Sequence, residues 1–151
     1  MVKYQYHLSY DFTVFIVKKT QVLRPIIPVE LQYKENDPIE FTMLIDSGAD
    51  FSLISQDVAA SLGINTKRDP DDTIQGVTGD TSTFTEKVNI RIGMGHKNEY
   101  RMEIPIQITK IRGYPFIPAL GLDPLFREFD IHFRMGLPTK ERKFVLSKIR
   151  L

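Results

Sequence analysis

The chain contains no cysteine, and only three histidines are spread over its 151 residues. Without cysteine there can be neither a disulfide framework nor a thiolate metal site, and a reducing compartment is allowed. His7, His96 and His132 are far apart, with no His-x-x-x-His spacing and no accompanying carboxylate motif, so no metal and no cofactor are expected. Charge of one sign is lacking too. Lys and Arg number 20 against 19 for Asp and Glu, and a net charge of +1 gives no electrostatic case for a nucleic-acid or anionic-membrane partner. The apolar run near the start, Val14-Phe15-Ile16-Val17, is far too short for a membrane span or a signal-peptide core, which makes a cytoplasmic location the default expectation. Gly-x-Ser-x-Gly is absent, since Ser47 has Ile45 two positions before it, and no Gly-Lys-[Ser/Thr] phosphate loop occurs.

What is present is a β-rich pattern. A length of 151 residues with 42% hydrophobic and 26% charged content fits one compact domain, 1–151. Even positions from Tyr4 to Ile16 are apolar or aromatic, which predicts one long first strand in an N-terminal extension, 1–22, its tyrosines in the core or an interface. Ile26 to Leu31 reads as a strand, placed at an edge or bulge by Pro25 and Pro28, which cannot donate to a ladder. After a polar turn at Lys34 to Pro38, the apolar run Phe41 to Ile45 delivers Asp46. Ser55 is a good N-cap for a helix over Gln56 to Leu62, and Gly63 a good stop. Thr73 to Phe84 reads as a hairpin with a mobile, glycine-bearing tip. Val88–Ile92 and Met102–Ile108 continue a meander, Leu122 to Arg127 predicts a single helical turn, and Phe129–Phe133 with Lys143–Ser147 close the chain, the latter in a C-terminal hairpin over 134–151. The fold class is therefore all-β: a sandwich or partly closed barrel with one or two short helices.

Three features stand in a fixed order: an apolar strand ending in Asp46-Ser47-Gly48-Ala49-Asp50, the glycine-tipped hairpin at Gly76-Val77-Thr78-Gly79, and Ala119-Leu120-Gly121 before a helical turn. Phe41 to Asp50 matches the hydrophobic lead-in and Asp-[Ser/Thr]-Gly-Ala signature of the retroviral-type aspartic proteases, with Ser52-Leu53-Ile54-Ser55 following in place. Over roughly 24–133 the chain resembles that retropepsin-like family. Residues 1–22 and 134–151 go beyond its minimal domain, which makes non-viral single-domain relatives the nearer analogy.

The resemblance implies a catalytic Asp46. Hydrolysis by this route needs one carboxylate to take a proton from water and another to give one to the substrate carbonyl, and two such groups packed together cannot both ionise. No second Asp-[Ser/Thr]-Gly exists, so a homodimer that brings two Asp46 side chains to its axis is expected, with a peptide or protein as substrate. A bell-shaped pH profile, favouring mildly acidic to near-neutral pH, follows from the shared proton. Ser47 would bond the facing loop, Gly48 would let a substrate backbone approach, and Ala49 is small for a similar reason. Gly76, Val77, Thr78 and Gly79 would form the flap, against the alternative of an ordinary β-turn. Ile74, Val77 and Ile117 would line the cleft and favour apolar side chains at the scissile bond. Asp50 would either bond substrate backbone or satisfy amides of its own turn. Asp123 is expected to cap a helix, and His132 to be structural. One departure is Leu122, where many retroviral enzymes have an arginine that braces the acidic residue at the position of Asp50. The competing expectation is a non-proteolytic dimerisation or peptide-binding module on the same fold.

Overall fold

The computed structural model describes residues 1–76, 79–110 and 117–151. In chain order its strands are β1 (Tyr4–Asp11), β2 (Thr13–Val17), β3 (Thr20–Arg24), β4 (Ile26–Gln32), β5 (Ile39–Ile45) and β6 (Leu53–Ser55), followed by helix α1 (Gln56–Ser61). Then come β7 (Asp72–Gly76), β8 (Gly79–Ile92), β9 (Tyr100–Thr109), β10 (Ala119–Leu120), helix α2 (Leu125–Glu128), β11 (Phe129–Arg134) and β12 (Lys143–Ile149).

Six strands close into a ring, in the order β4, β5, β10, β6, β9, β8 and back to β4, with β7 attached outside on β8. This is the all-β barrel with short helices that the strand pattern implies. Alternation fills it. On β8 the even residues Phe84, Val88, Ile90 and Ile92 are buried, and on β9 Ile104, Ile106 and Ile108. They meet Ile27, Val29 and Leu31 of β4 and Met43 and Ile45 of β5, because successive side chains on a strand face opposite sides. Helix α1 begins as expected: the Ser55 hydroxyl accepts the Val58 N–H, which satisfies a donor the first turn cannot, and Gly63 follows at φ +85°.

A second layer is the three-stranded sheet β1-β12-β11, antiparallel throughout. Its inner face carries Leu8, Phe129, Phe144 and Leu146, all buried, with the Tyr10 ring stacked on Phe144 at 5.5 Å between centroids. Tyr6 and Tyr10 pack against the core. Tyr4, at 41% exposure, instead donates its hydroxyl to an Asp130 carboxylate oxygen at 2.5 Å.

Two expectations need correcting. The first strand is not one element. It stops at Asp11, and β2 turns back onto β3 to form a separate two-stranded ribbon, paired from Thr13↔Arg24 to Val17↔Thr20. The even-numbered alternation runs on through Phe12, but Val14 and Ile16 are 53% and 67% exposed, so that alternation stops reporting burial. The turn is made by Lys18 and Lys19, both at positive φ (48° and 62°), a conformation more usual for Asn or Gly and therefore silent in the sequence. Second, β4 is no edge strand: it pairs with β5 from Ile26 to Leu31 and with β8 from Val29 to Gln32. Pro28 is accommodated because it precedes the stretch flanked on both sides.

Among the described residues no helix is long and apolar enough to cross a membrane.

Candidate active site

Asp46 leaves the end of β5 at the point where β10 runs alongside, in parallel register Ala119↔Leu44 and Leu120↔Ile45. The backbone around it is tied on several sides. Leu44 N–H donates to Pro118 O at 2.7 Å, Ile45 N–H to Pro25 O at 2.9 Å, and Asp46 N–H to Leu120 O at 3.0 Å. The loop then folds on itself: Ala49 N–H donates to Asp46 O at 3.2 Å, and Gly48 N–H donates to the Asp46 carboxylate, Oδ1, at 2.9 Å. One carboxylate oxygen is thus oriented by its own loop; Asp46 is half-buried, and Ser47 and Gly48 are exposed. A methyl group on Gly48 would stand 3.2 Å from that oxygen, so glycine keeps the approach to the carboxylate clear.

Residues 49–52 are sewn to 121–123. Leu122 N–H donates to Ala49 O at 2.8 Å and Asp123 N–H to Asp50 O at 3.0 Å, and Phe51 bridges Asp123 in parallel fashion. Ser52 is fully buried. Its hydroxyl accepts Gly121 N–H at 3.3 Å and donates to Asp123 O at 3.2 Å, which makes it a positioning residue, a role that its place in the motif does not reveal. Gly121 is required by space: an added Cβ would lie 2.4 Å from Phe51 O and 2.6 Å from Ala49 O, both backbone atoms. The Ala119-Leu120-Gly121 element therefore underlies the Asp46 loop directly.

Of the sequence-predicted residues, Asp46, Ser47, Gly48, Ala49 and Asp50 come together with 119–123. Ile117, half-buried, leads into β10. Ile74, also half-buried, lies on β7, which pairs with β8 from Asp72↔Thr83 to Gly76↔Gly79. The expected hairpin is present, while Val77 and Thr78, and with them the expectation of a mobile tip, lie outside the described residues. Among the described residues no hydrogen bond joins this hairpin to the Asp46 loop.

Asp50 is exposed, and among the described residues its carboxylate has no hydrogen bond or ion pair, so it does not satisfy the amides of its turn. Asp123 is not a helix cap, because α2 starts after Pro124 without a side-chain cap bond. Asp123 instead pairs with Arg127 at 3.6 Å. Leu122 is 39% exposed, and Phe51, beside Asp50, is 47% exposed. Among the described residues no group of three or more His, Cys, Asp or Glu is placed to hold a metal ion.

Comparison with known proteins agrees with this geometry. The family model described as "Aspartyl protease" matches residues 28–123. Among solved structures, the EIAV protease complexed with the inhibitor HBY-793 is similar at 25% identity and a TM-score of 0.52, covering 69% of this chain and 86% of that one. A retropepsin-like aspartic protease from Rickettsia conorii shares the fold at 14% identity and a TM-score of 0.60, covering 100% of this chain and 97% of that one. A search of curated proteins finds none that matches. The matched span holds the Asp46 loop and the Gly121 turn that supports it, and the chain belongs to the aspartyl protease family in its retropepsin-like form.

Proposed function

We propose that the protein is an endopeptidase that works as a homodimer, each chain supplying one Asp46 to a single active site at the two-fold axis. The observation that carries this reading is the solitary state of Asp46. Its Oδ1 is held by Gly48 N–H, yet no second carboxylate is hydrogen-bonded to it among the described residues. Proton abstraction from water and proton donation to the carbonyl are two tasks, and a symmetric dimer places identical loops opposite each other.

In this mechanism a water molecule sits between the two Asp46 carboxylates, which share one proton. The ionised member takes a proton as water attacks the scissile carbonyl, and the protonated member gives its proton to the carbonyl oxygen. The resulting gem-diol collapses with proton transfer to the leaving amine. Ser47 braces the facing loop, Gly48 and Ala49 admit the substrate backbone, and Asp50 contributes to holding the substrate. The hairpin residues Gly76, Val77, Thr78 and Gly79 fold over the peptide and exclude water, while Ile74 and Ile117 favour apolar side chains at the scissile bond. One compact domain, 1–151, carries all of this.

The test is cleavage of an unstructured protein by wild type and Asp46→Asn across pH, with molar mass recorded by light scattering. A dimer with a bell-shaped profile, and an equally dimeric variant with activity lowered by about 10³-fold or more, is the expected result. A folded dimer that cleaves nothing at any pH would instead point to a peptide-binding module, and full activity in a monomer would remove the shared site.

A further inference from the structure

We propose that the β2–β3 ribbon and the β11–β12 connection beside it form a docking surface for an anionic phospholipid bilayer, on which the protein rests with Val14, Ile16 and Leu23 toward the lipid.

The register of the ribbon sets its faces. Val14 lies opposite Leu23 and Ile16 opposite Gln21, and these four share one face because alternate residues of a strand point the same way. Val14 and Ile16 are largely exposed on it. At one end of this stripe Val14, Gln21 and Leu23 line a cavity of about 200 Å³ with Phe12, and its far wall carries Lys140, from the 3-10 turn Thr139–Glu141, and Arg142. At the other end the ribbon turns through Lys18 and Lys19. Aliphatic side chains are thus bracketed by two pairs of cations.

The near-neutral total conceals this arrangement. Residues 11–24 and 134–143 hold seven of the 20 cationic side chains and only two of the 19 carboxylates, Asp11 and Glu141, a local excess of five positive charges in a chain of net +1. Lys18, Lys19, Lys140 and Arg142 make no ion pair among the described residues, and residues 77, 78 and 111–116 contain no Asp or Glu to supply one. Asp11 also lines the cavity, but its cross-strand neighbour on β12 is another cation, Lys143.

A bilayer surface meets both features together. Its hydrocarbon boundary takes up Val14, Ile16 and Leu23, while the long Lys and Arg stems lie along it and carry their charges to the headgroup phosphates. Exposed apolar side chains rimmed by polar ones mark an interaction surface in general, and the single charge sign selects an anionic one. A second copy of this chain is opposed by the same charges, because a two-fold contact through this stripe sets cation against cation.

The test is co-flotation of the full chain with phosphatidylcholine vesicles and with vesicles in which about a third of the lipid is phosphatidylglycerol. Wild type should partition about tenfold more strongly onto the anionic vesicles, and the preference should fade as salt is raised. Lys18→Gln and Lys140→Gln should each weaken that partition about fivefold and Ile16→Ser about tenfold, whereas Lys87→Gln, which removes the same charge from β8, should leave it within about twofold. The chain has no tryptophan, so Ile16→Trp introduces a lone indole whose emission should move to the blue on anionic vesicles. Equal partition onto both vesicle types, no partition, an unshifted emission, or an effect of Lys87→Gln as large as that of Lys18→Gln overturns the proposal. A fall in light-scattering mass in Ile16→Ser overturns it too, by making this face a contact between copies. Thermal midpoints equal to that of wild type show that the variants have lost a contact and not the fold.

Discussion

From Asp46 to Ser52 the chain is hydrogen-bonded to Leu120, Gly121, Leu122 and Asp123 through both backbone and the buried Ser52 hydroxyl. From Thr13 to Arg24, by contrast, strands β2 and β3 pair only with each other among the described residues and leave Val14, Ile16 and Val17 in solvent. Apolar side chains make up half of Thr13 to Arg24 but in Asp46 to Ser52 are only Ala49 and Phe51, so apolar content does not account for which segment is held in place. What separates them is whether neighbouring backbone determines their geometry. A carboxylate that must meet a reacting atom within a fraction of an ångström needs such fixing, and a ribbon held only by its own ladder cannot supply it.

The sharpest way to break this contrast is Gly121→Ala. The new methyl group would collide with the Phe51 and Ala49 carbonyl oxygens, and the backbone must move. We expect a loss of about 3 kcal/mol in denaturant unfolding and near-complete loss of peptide cleavage. Ser52→Ala comes next. It leaves the Gly121 N–H and the Asp123 carbonyl without their hydroxyl partner in a buried place, and should cost about 1–3 kcal/mol, with kcat falling more than the fold does. Unchanged kcat in a stable Ser52→Ala protein would show that the loop does not need this stitch.

A third prediction concerns acid. Glu99 receives two bonds from Arg91, at 2.7 and 2.9 Å, and one from Arg101 at 3.2 Å. The Arg91 hydrogen bonds hold its carboxyl down from an ordinary value of 4.5 to about 2, against the opposing effect of burial. A depressed folded value means that this stabilisation is fully present above 4.5 and is lost as pH falls from there through about 2. Glu99→Gln should therefore lower stability at neutral pH and narrow the gap to wild type progressively over that window, followed by thermal unfolding at a series of pH values. A gap independent of pH would contradict the assignment. At the small end, Ile16→Ser on the ribbon should change stability by no more than about 0.5 kcal/mol and leave cleavage as in wild type. A large effect there would mean that the ribbon is covered in the working assembly.

How far the sequence reveals these two regions also differs, for the same physical reason. At Asp46 the local signals agree with the packing. An apolar strand, a tight glycine turn, a Ser55 cap and a Gly63 stop each act through their immediate neighbours, and each appears where residue chemistry puts it. The ribbon breaks that agreement, because Lys18 and Lys19 adopt positive φ without the Asn or Gly that signals it, and period-two alternation continues across a change of sheet. Ser52 was legible only as part of a motif, since its partners Gly121 and Asp123 lie about 70 residues on and arrive through barrel closure. Asp123 has the right residue type before a helical turn for a cap, yet Pro124 intervenes and the carboxylate finds Arg127.

The central claim is that each chain holds half of one active site, and co-assembly tests it most directly. Wild type and Asp46→Asn are mixed in varied ratios, dissociated, reassembled and assayed on one peptide. If both Asp46 carboxylates serve one site, activity follows the square of the wild-type fraction, and an equal mixture retains about a quarter of full activity. Activity that falls only in proportion to the wild-type fraction, about half at equal mixing, would show that each chain acts alone and would contradict the account.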